Sequence, residues 1–160
     1  MLNDDFYTFR GYMRKASHLL TPSMEDYIEM IYRLSLESGF TRVNELSKAL
    51  NVQPPSATKM SQKFSEMNLI NYEKYGVIIL TEEGKKVGKF LLDRHNTLEK
   101  FLNLIAPTND VLEQTEKLEH IISSETLEYI IAFVKFIDDN PQLINDFRNY
   151  VEMRKNYKTV

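Results

Sequence analysis

The stretch TRVNELSKAL NVQPPSATKM SQKFSEMNLI NYEKYGVIIL, residues 41–80, decides the fold of this chain. Its first part predicts a short helix over 42–50, because apolar residues recur there at the spacing of one buried helix face. Those residues are Val43, Leu46, Ala49 and Leu50. The pair Pro54-Pro55 marks a new start, since proline suits a first helical turn. A second helix is therefore expected over 56–67.

Two β-rich runs follow these helices. They cover 69–72 and 77–80, and the four residues between them end in Gly76, which suits a hairpin turn. Helix, turn, helix and hairpin is the order of a winged helix-turn-helix. That motif places its second helix in the major groove of B-DNA.

The second helix keeps short polar and cationic side chains on its outer face. Lysine suits phosphates or guanine edges, serine and threonine suit phosphates or bases, and glutamine suits adenine. The candidate DNA-binding residues are Ser56, Thr58, Lys59, Gln62 and Lys63 on the helix, with Lys74 and Tyr75 on the wing. The alternative is an ordinary helical hairpin with a solvated polar face, since many such folds bind no DNA.

Composition is that of a soluble globular protein, with 42% hydrophobic and 27% charged residues in 160. The sequence has no run long enough to span a bilayer and no apolar signal segment, so we expect a cytoplasmic protein with no membrane partner. It has no cysteine, which excludes disulfides, thiolate metal ligands and a cysteine nucleophile.

The net charge of −3 is unevenly distributed. Residues 41–90 contain eight Lys or Arg and five Glu, a net charge of +3, so the remainder of the chain carries −6. A mildly basic module beside an acidic one is compatible with a regulated, specific contact with DNA.

The remaining periodicity predicts five more helices. They cover 24–37 (with Ser23 as N-cap and Asp26 completing a capping box), 82–105, 109–122, 125–137 and 143–157. The helix over 125–137 is apolar on more than one side, which favours a dimer interface. We expect a mainly α fold in which a winged helix-turn-helix, residues 21–90, precedes an all-helical dimerisation domain, residues 91–160. The lead, residues 1–20, either packs on the body as a short helix or contacts DNA backbone as an arm.

Three spacings place metal-ligand residue types on shared helix faces. Asp26 and Glu29 are i, i+3, and Glu116, Glu119 and His120 are i, i+3, i+4, while His95 lies on the long helix. If these faces converge, four carboxylates repel one another unless cations neutralise them, and two divalent cations suffice. Oxygen and nitrogen ligands without sulfur favour Mn²⁺ or Fe²⁺, and Zn²⁺, Co²⁺ or Cd²⁺ can enter such a site. The alternative is that these residues are surface charges and Asp26 a cap partner.

Several blocks of the sequence resemble one known family. The blocks are LTPSMEDYIEMIYRL, NVQPPSATKM, YEKYGVIILTEEGKKVG and LLDRHNTLEKFL, and they resemble the DtxR/MntR family of metal-dependent transcriptional repressors over about residues 20–137. In the manganese-responsive branch, the metal ligands fall on positions that match Asp26, Glu29, His95, Glu116, Glu119 and His120. Iron-responsive relatives carry methionine in place of Asp26 and cysteine in place of Glu119, so the chain looks like the manganese type.

The resemblance implies a homodimeric repressor that binds two Mn²⁺ ions per subunit and controls genes for metal uptake. Its partner would be a pseudo-palindromic double-stranded operator. Larger relatives carry a C-terminal SH3-like domain, for which a chain ending at Val160 leaves no room.

Two rival functions come from other classes. A dinuclear metalloenzyme of the helical-bundle kind uses paired Glu-x-x-His motifs. Here the order is Glu116-x-x-Glu119-His120, with no second Glu-x-x-His to pair with it. The other rival is a metal-independent winged-helix regulator that responds to a different class of ligand.

Overall fold

The computed structural model describes residues 20–157, which are mainly helical with one small sheet. In chain order the elements are α1 Pro22–Ser35, β1 Thr41–Arg42, α2 Val43–Ala49, α3 Pro54–Glu66, β2 Ile70–Tyr72, β3 Val77–Leu80, α4 Glu82–Ile105, α5 Val111–Glu119, α6 Ser124–Asp139 and α7 Pro141–Tyr157. This order confirms the predicted fold class. The predicted lead, residues 1–20, lies outside the described residues except for Leu20.

The chain forms two compact units, and the division between them falls between Asp93 and Arg94, within α4. The first unit holds α1 to α3, the sheet and the first half of α4. The second holds the rest of α4 with α5, α6 and α7. The predicted domain limits, 21–90 and 91–160, stay a prediction.

The helix-turn-helix forms between α2 and α3 through a tight turn. Val52 N donates to Ser47 O at 2.9 Å, and Asn51 adopts a left-handed φ of 53°, which asparagine tolerates better than most residues. Helix α3 starts at Pro54, two residues before the predicted start. Proline occupies the first turn, where the backbone N–H it lacks would have no helical partner.

The wing is a three-stranded antiparallel sheet in the order β1-β3-β2. Strand β1 was not predicted, and Arg42, placed at the start of a helix by the sequence pattern, pairs with Val77 in this sheet. A two-residue strand carries no periodicity of its own and exists because β3 supplies its partner. Between β2 and β3 lies the predicted turn, with Tyr75 and Gly76 both left-handed at φ 61° and 71°.

Helices α1 and α5 also differ from their predicted bounds. Helix α1 begins at Pro22, and its N-cap is Thr21 rather than Ser23, because the Thr21 hydroxyl accepts from Met24 N at 3.4 Å. It also ends at Ser35 rather than at residue 37, and Leu36 beyond its end is exposed. Helix α5 covers only Val111–Glu119, not 109–122, with His120 at its C-terminal cap.

The core of the first unit is contributed by all its helices and by the sheet. Fully buried members are Met24, Ile28, Ile31, Leu46, Phe64, Ile70, Ile78 and Leu91. Helix α4 approaches its neighbours closely at two glycines. A Cβ at Gly84 would lie 1.9 Å from Leu69 O, and one at Gly88 would lie 2.5 Å from Tyr32 Cβ. Because glycine has no Cβ, Gly84 and Gly88 let α4 pack closely against Leu69 and Tyr32.

Helix α6 is apolar on more than one side, as predicted. Leu127, Ile130, Val134 and Ile137 are buried on one face. A second face carries the exposed aromatic residues Tyr129, Phe133 and Phe136, of which Phe133 makes an edge contact with Phe101 at 5.7 Å between ring centroids. The use of this face as a dimer interface stays a prediction.

Candidate nucleic-acid interface and metal centre

Helix α3 presents its predicted polar face outward. Ala57 and Phe64 are fully buried and fix the rotation of the helix, and the Ser61 hydroxyl donates to Ala57 O at 2.8 Å. Of the candidate DNA-binding residues on this helix, Thr58 is half-buried and the other four are exposed: Ser56, Lys59, Gln62 and Lys63.

A groove of about 710 Å³ runs beside this face. It is lined by Ser23, Tyr27, Ser56, Lys59, Met60, Gln62, Lys63 and Glu66. Ser23 and Tyr27 come from the start of α1 and were not selected from the sequence, which carries no local signal for the packing of α1 beside α3. Burial raises the pKa of the Tyr27 phenol, so this group stays a neutral hydrogen-bond donor at neutral pH. The groove joins lysine ammonium groups with hydroxyls, the chemistry that contacts phosphate.

The wing places its two candidate residues in solvent. Lys74 is exposed, and the Tyr75 side chain is 93% exposed. Arg42 Nη1 donates to Tyr75 O at 3.5 Å and its guanidinium lies 5.8 Å from the centroid of the Phe40 ring. Arg42 thus contacts the backbone at the tip of the wing, while the tyrosine ring remains accessible.

Helix α1 carries the first two candidate metal ligands. Asp26 is exposed and Glu29 is buried, although the two lie one helical turn apart. The Glu29 Oε1 atom accepts from Arg33 Nε at 2.9 Å and lies 2.6 Å from Arg33 Nη2. A buried carboxylate on this helix therefore already has a cationic partner.

The second unit brings three of the other four candidate ligands together. His95 Nδ1 lies 3.0 Å from Glu119 Oε2, and both side chains are at most 7% exposed. His120 Nε2 lies 3.8 Å from Glu119 Oε1. The sequence separation of 24 residues between His95 and Glu119 makes this contact a product of the packing of α4 against α5. Glu116 is exposed and does not join this cluster in the described residues.

Within this cluster, the His95–Glu119 pair has the spacing of two ligands of one divalent cation. Two ligand atoms that bind one ion at about 2.1 Å, with bond angles near those of a tetrahedron or octahedron, lie roughly 3.0–3.4 Å apart. The His95–Glu119 separation of 3.0 Å matches this range. The donor set is imidazole and carboxylate, which suits Mn²⁺, Fe²⁺ and Zn²⁺.

One further carboxylate near the cluster was missed. Glu99 Oε2 lies 4.0 Å from His95 Nε2, on the same face of α4. The i, i+4 spacing from His95 is visible in the sequence and was the signal that could have identified it.

Comparison with known proteins matches both parts of the chain to one family. Residues 19–78 match the family described as "Iron dependent repressor, N-terminal DNA binding domain", and residues 81–147 match "Iron dependent repressor, metal binding and dimerisation domain". The "HTH-type transcriptional regulator MntR" of Geobacillus thermodenitrificans is 42% identical over 81% of this chain and 92% of its own length. The protein of that name from Bacillus subtilis is 39% identical over 82% of this chain and 93% of its own.

A solved structure gives the same result for the fold. The manganese regulator SloR is similar with a TM-score of 0.63 and 26% identity, over 73% of this chain. This chain spans about half, 55%, of the length of that solved protein.

Both rival functions are excluded by these matches. Members of the matched family are metal-dependent repressors, so neither an enzyme nor a metal-independent regulator agrees with two family domains matched in order. Within residues 20–157, none of the helices combines the length and apolar character that crossing a bilayer requires. The chain belongs to the iron-dependent repressor family, the DtxR/MntR group of metal-dependent repressors that bind DNA as homodimers.

Proposed function

We propose that this protein is a manganese-activated repressor whose homodimer binds a pseudo-palindromic operator when Mn²⁺ is bound. The observation that carries the proposal is the buried His95–Glu119 pair with His120 beside it. Burying a carboxylate and imidazoles together is costly unless a cation or a proton neutralises them, and a divalent cation does so directly.

The proposed ligands are all six residues selected from the sequence. They are Asp26, Glu29, His95, Glu116, Glu119 and His120. Four carboxylates carry a formal charge of −4, which two Mn²⁺ ions per subunit would balance. Aspartate at position 26 and glutamate at position 119, where iron-type relatives carry Met and Cys, support Mn²⁺ over Fe²⁺. Zn²⁺, Co²⁺ and Cd²⁺ have the coordination chemistry to substitute.

Helix α1 provides the physical route from metal to DNA within the first unit. It carries Asp26 and Glu29, and its first two turns line the groove beside Lys59 and Lys63 of α3. A change in the position of α1 would therefore alter the groove at the proposed DNA-binding face. We propose that Ser56, Thr58, Lys59, Gln62 and Lys63 contact the operator from α3 and that Lys74 and Tyr75 contact it from the wing.

Activation follows from the spacing of the two DNA-binding helices in the dimer. They must lie about one helical turn of DNA apart, roughly 34 Å, or a multiple of it, to enter successive major grooves. In the absence of metal, repulsion between carboxylates leaves only a fraction of dimers with this spacing, and the apparent affinity falls by that fraction. The proposed targets are genes for metal uptake, and a regulator of such operators acts in the cytoplasm.

Substitution of Glu119 by glutamine tests the proposal. Glu119→Gln keeps the volume and removes the charge of a buried ligand, so Mn²⁺-dependent operator binding should be lost while the dimer persists. Loss of even an outer-shell partner of a metal costs about 10- to 100-fold in affinity, so loss of a ligand should cost at least as much. Fluorescence anisotropy on labelled promoter DNA, titrated with Mn²⁺, measures the first effect and sedimentation the second.

Glu113→Gln is the matched control, because Glu113 lies on the same helix but is exposed and paired with Lys117. It should titrate as the unmodified protein does. A Glu119→Gln protein that still binds the operator only upon addition of Mn²⁺, at unchanged metal concentration, would overturn the ligand assignment.

A further inference from the structure

One of the proposed metal ligands, Glu29, forms an ion pair with Arg33. The two residues are i, i+4 on α1, and the side chains are 10% and 35% exposed respectively. Arg33 Nε and Nη2 both approach the same carboxylate atom, Oε1, at 2.9 and 2.6 Å. The guanidinium therefore covers one oxygen of Glu29 and leaves Oε2 outside this contact.

The pair meets a physical requirement of the buried carboxylate. An ionised carboxylate with little exposure to water is strongly destabilising unless it is paired and hydrogen-bonded. Arginine is suited to this task because its guanidinium stays charged at every physiological pH and presents two N–H groups in one plane. Glu29 is thus neutralised by the protein's own side chain.

We propose that Arg33 is a built-in counter-cation that competes with the activating metal for Glu29 and so sets the metal concentration at which the protein responds. This inference rests on the proposed function, in that it takes Glu29 as a metal ligand. Arg33 itself does not bind the metal. It acts through Glu29 as a positioning and tuning residue.

Repulsion between two cations gives the direction of the effect. A metal ion bound by Glu29 would share that carboxylate with the guanidinium, so the two positive charges would be about 5 Å apart. Charges of +1 and +2 at that distance repel by an energy equivalent to roughly tenfold in affinity even with the screening of bulk water. Arg33 therefore stabilises the metal-free state and weakens metal binding.

The opposite role would be preorganisation, in which Arg33 holds Glu29 ready for the ion. The two roles predict opposite signs. Competition predicts that removal of the guanidinium tightens metal binding, whereas preorganisation predicts that it weakens metal binding.

Replacement of Arg33 in the full chain tests the inference. Arg33→Met should bind Mn²⁺ about tenfold more tightly by calorimetry. Its melting temperature should fall without metal and recover with saturating Mn²⁺. Arg33→Gln, which keeps an N–H donor for Glu29 but removes the charge, should show the same gain in affinity with a smaller loss of stability. Arg33→Lys keeps the charge and should stay close to the unmodified protein.

Lys48→Met is the matched control for loss of one positive charge in the same unit, since Lys48 is exposed on α2. It should leave Mn²⁺ affinity unchanged. Unchanged or weaker Mn²⁺ binding in both Arg33→Met and Arg33→Gln would overturn the inference.

Glu29→Gln separates failure of this inference from failure of the proposed function. If Glu29→Gln loses Mn²⁺ binding while the Arg33 variants show no gain, only the role of Arg33 is wrong. If Glu29→Gln binds Mn²⁺ normally, the proposed ligand set is wrong, and the inference falls with it.

Discussion

Tyr75 has a left-handed backbone conformation, which residues with a side chain rarely adopt. It lies at φ 61° and ψ 24°, a region that costs an L-amino acid with a side chain roughly 1–2 kcal/mol. Packing of the side chain offsets little of this conformational cost, because the side chain is 93% exposed. Strain held at an exposed aromatic residue agrees with a role for the ring in binding, here the DNA contact proposed for the wing.

Tyr75→Gly should separate stability from binding. Glycine adopts this conformation without strain, so the free energy of unfolding in urea should rise by about 0.5–1 kcal/mol. Operator affinity in the presence of Mn²⁺ should fall, because the ring is lost. A variant in which both quantities stay constant would show that the ring has no part in DNA binding.

At the scale of elements, long periodic segments were predictable and short or non-local features were not. Helix α4 was predicted over 82–105 and found over Glu82–Ile105, because an apolar stripe and a threonine cap act together there. Strand β1 was not predicted from the sequence because only its pairing with β3 makes it a strand. The cap of α1 was misplaced because Pro22 favours the first helical position and moves the cap to Thr21.

In the candidate site, too, local residue patterns were predictable and contacts between helices were not. Residue types and helix spacing selected His95, Glu119 and His120, which the structure brings together in the second unit. Ser23 and Tyr27 were missed because their place in the groove depends on how α1 packs beside α3, and no spacing along the chain encodes that contact.

The packing of α4 on α1 depends on the absence of a side chain at Gly88. Gly88→Ala would place a Cβ 2.5 Å from Tyr32 Cβ, so one helix must shift. We expect a loss of about 1–3 kcal/mol in the free energy of unfolding, measured by urea denaturation of the metal-free protein. Lys86→Ala, at an exposed position of the same helix, should stay within about 0.5 kcal/mol of the unmodified protein. Equal stability of the two variants would contradict this packing.

At the scale of the whole molecule, charge is divided in a way that suits a metal-controlled DNA-binding protein. Residues 41–90 carry +3 and the remainder −6. Electrostatic attraction to phosphate is modest, so the chain relies on geometry for affinity rather than on bulk charge. Bound cations would reduce the negative charge outside residues 41–90. Repulsion between that part of the chain and DNA would then fall, which favours the metal-bound dimer on the operator.

The assignment of the six ligands is tested most directly by anomalous scattering from crystals grown with Mn²⁺. We predict manganese peaks at about 2.0–2.3 Å from side-chain atoms of His95, Glu119 and His120, with Asp26, Glu29 and Glu116 completing the coordination. Manganese peaks found only at other acidic residues, with none at the His95–Glu119 pair, would contradict the account.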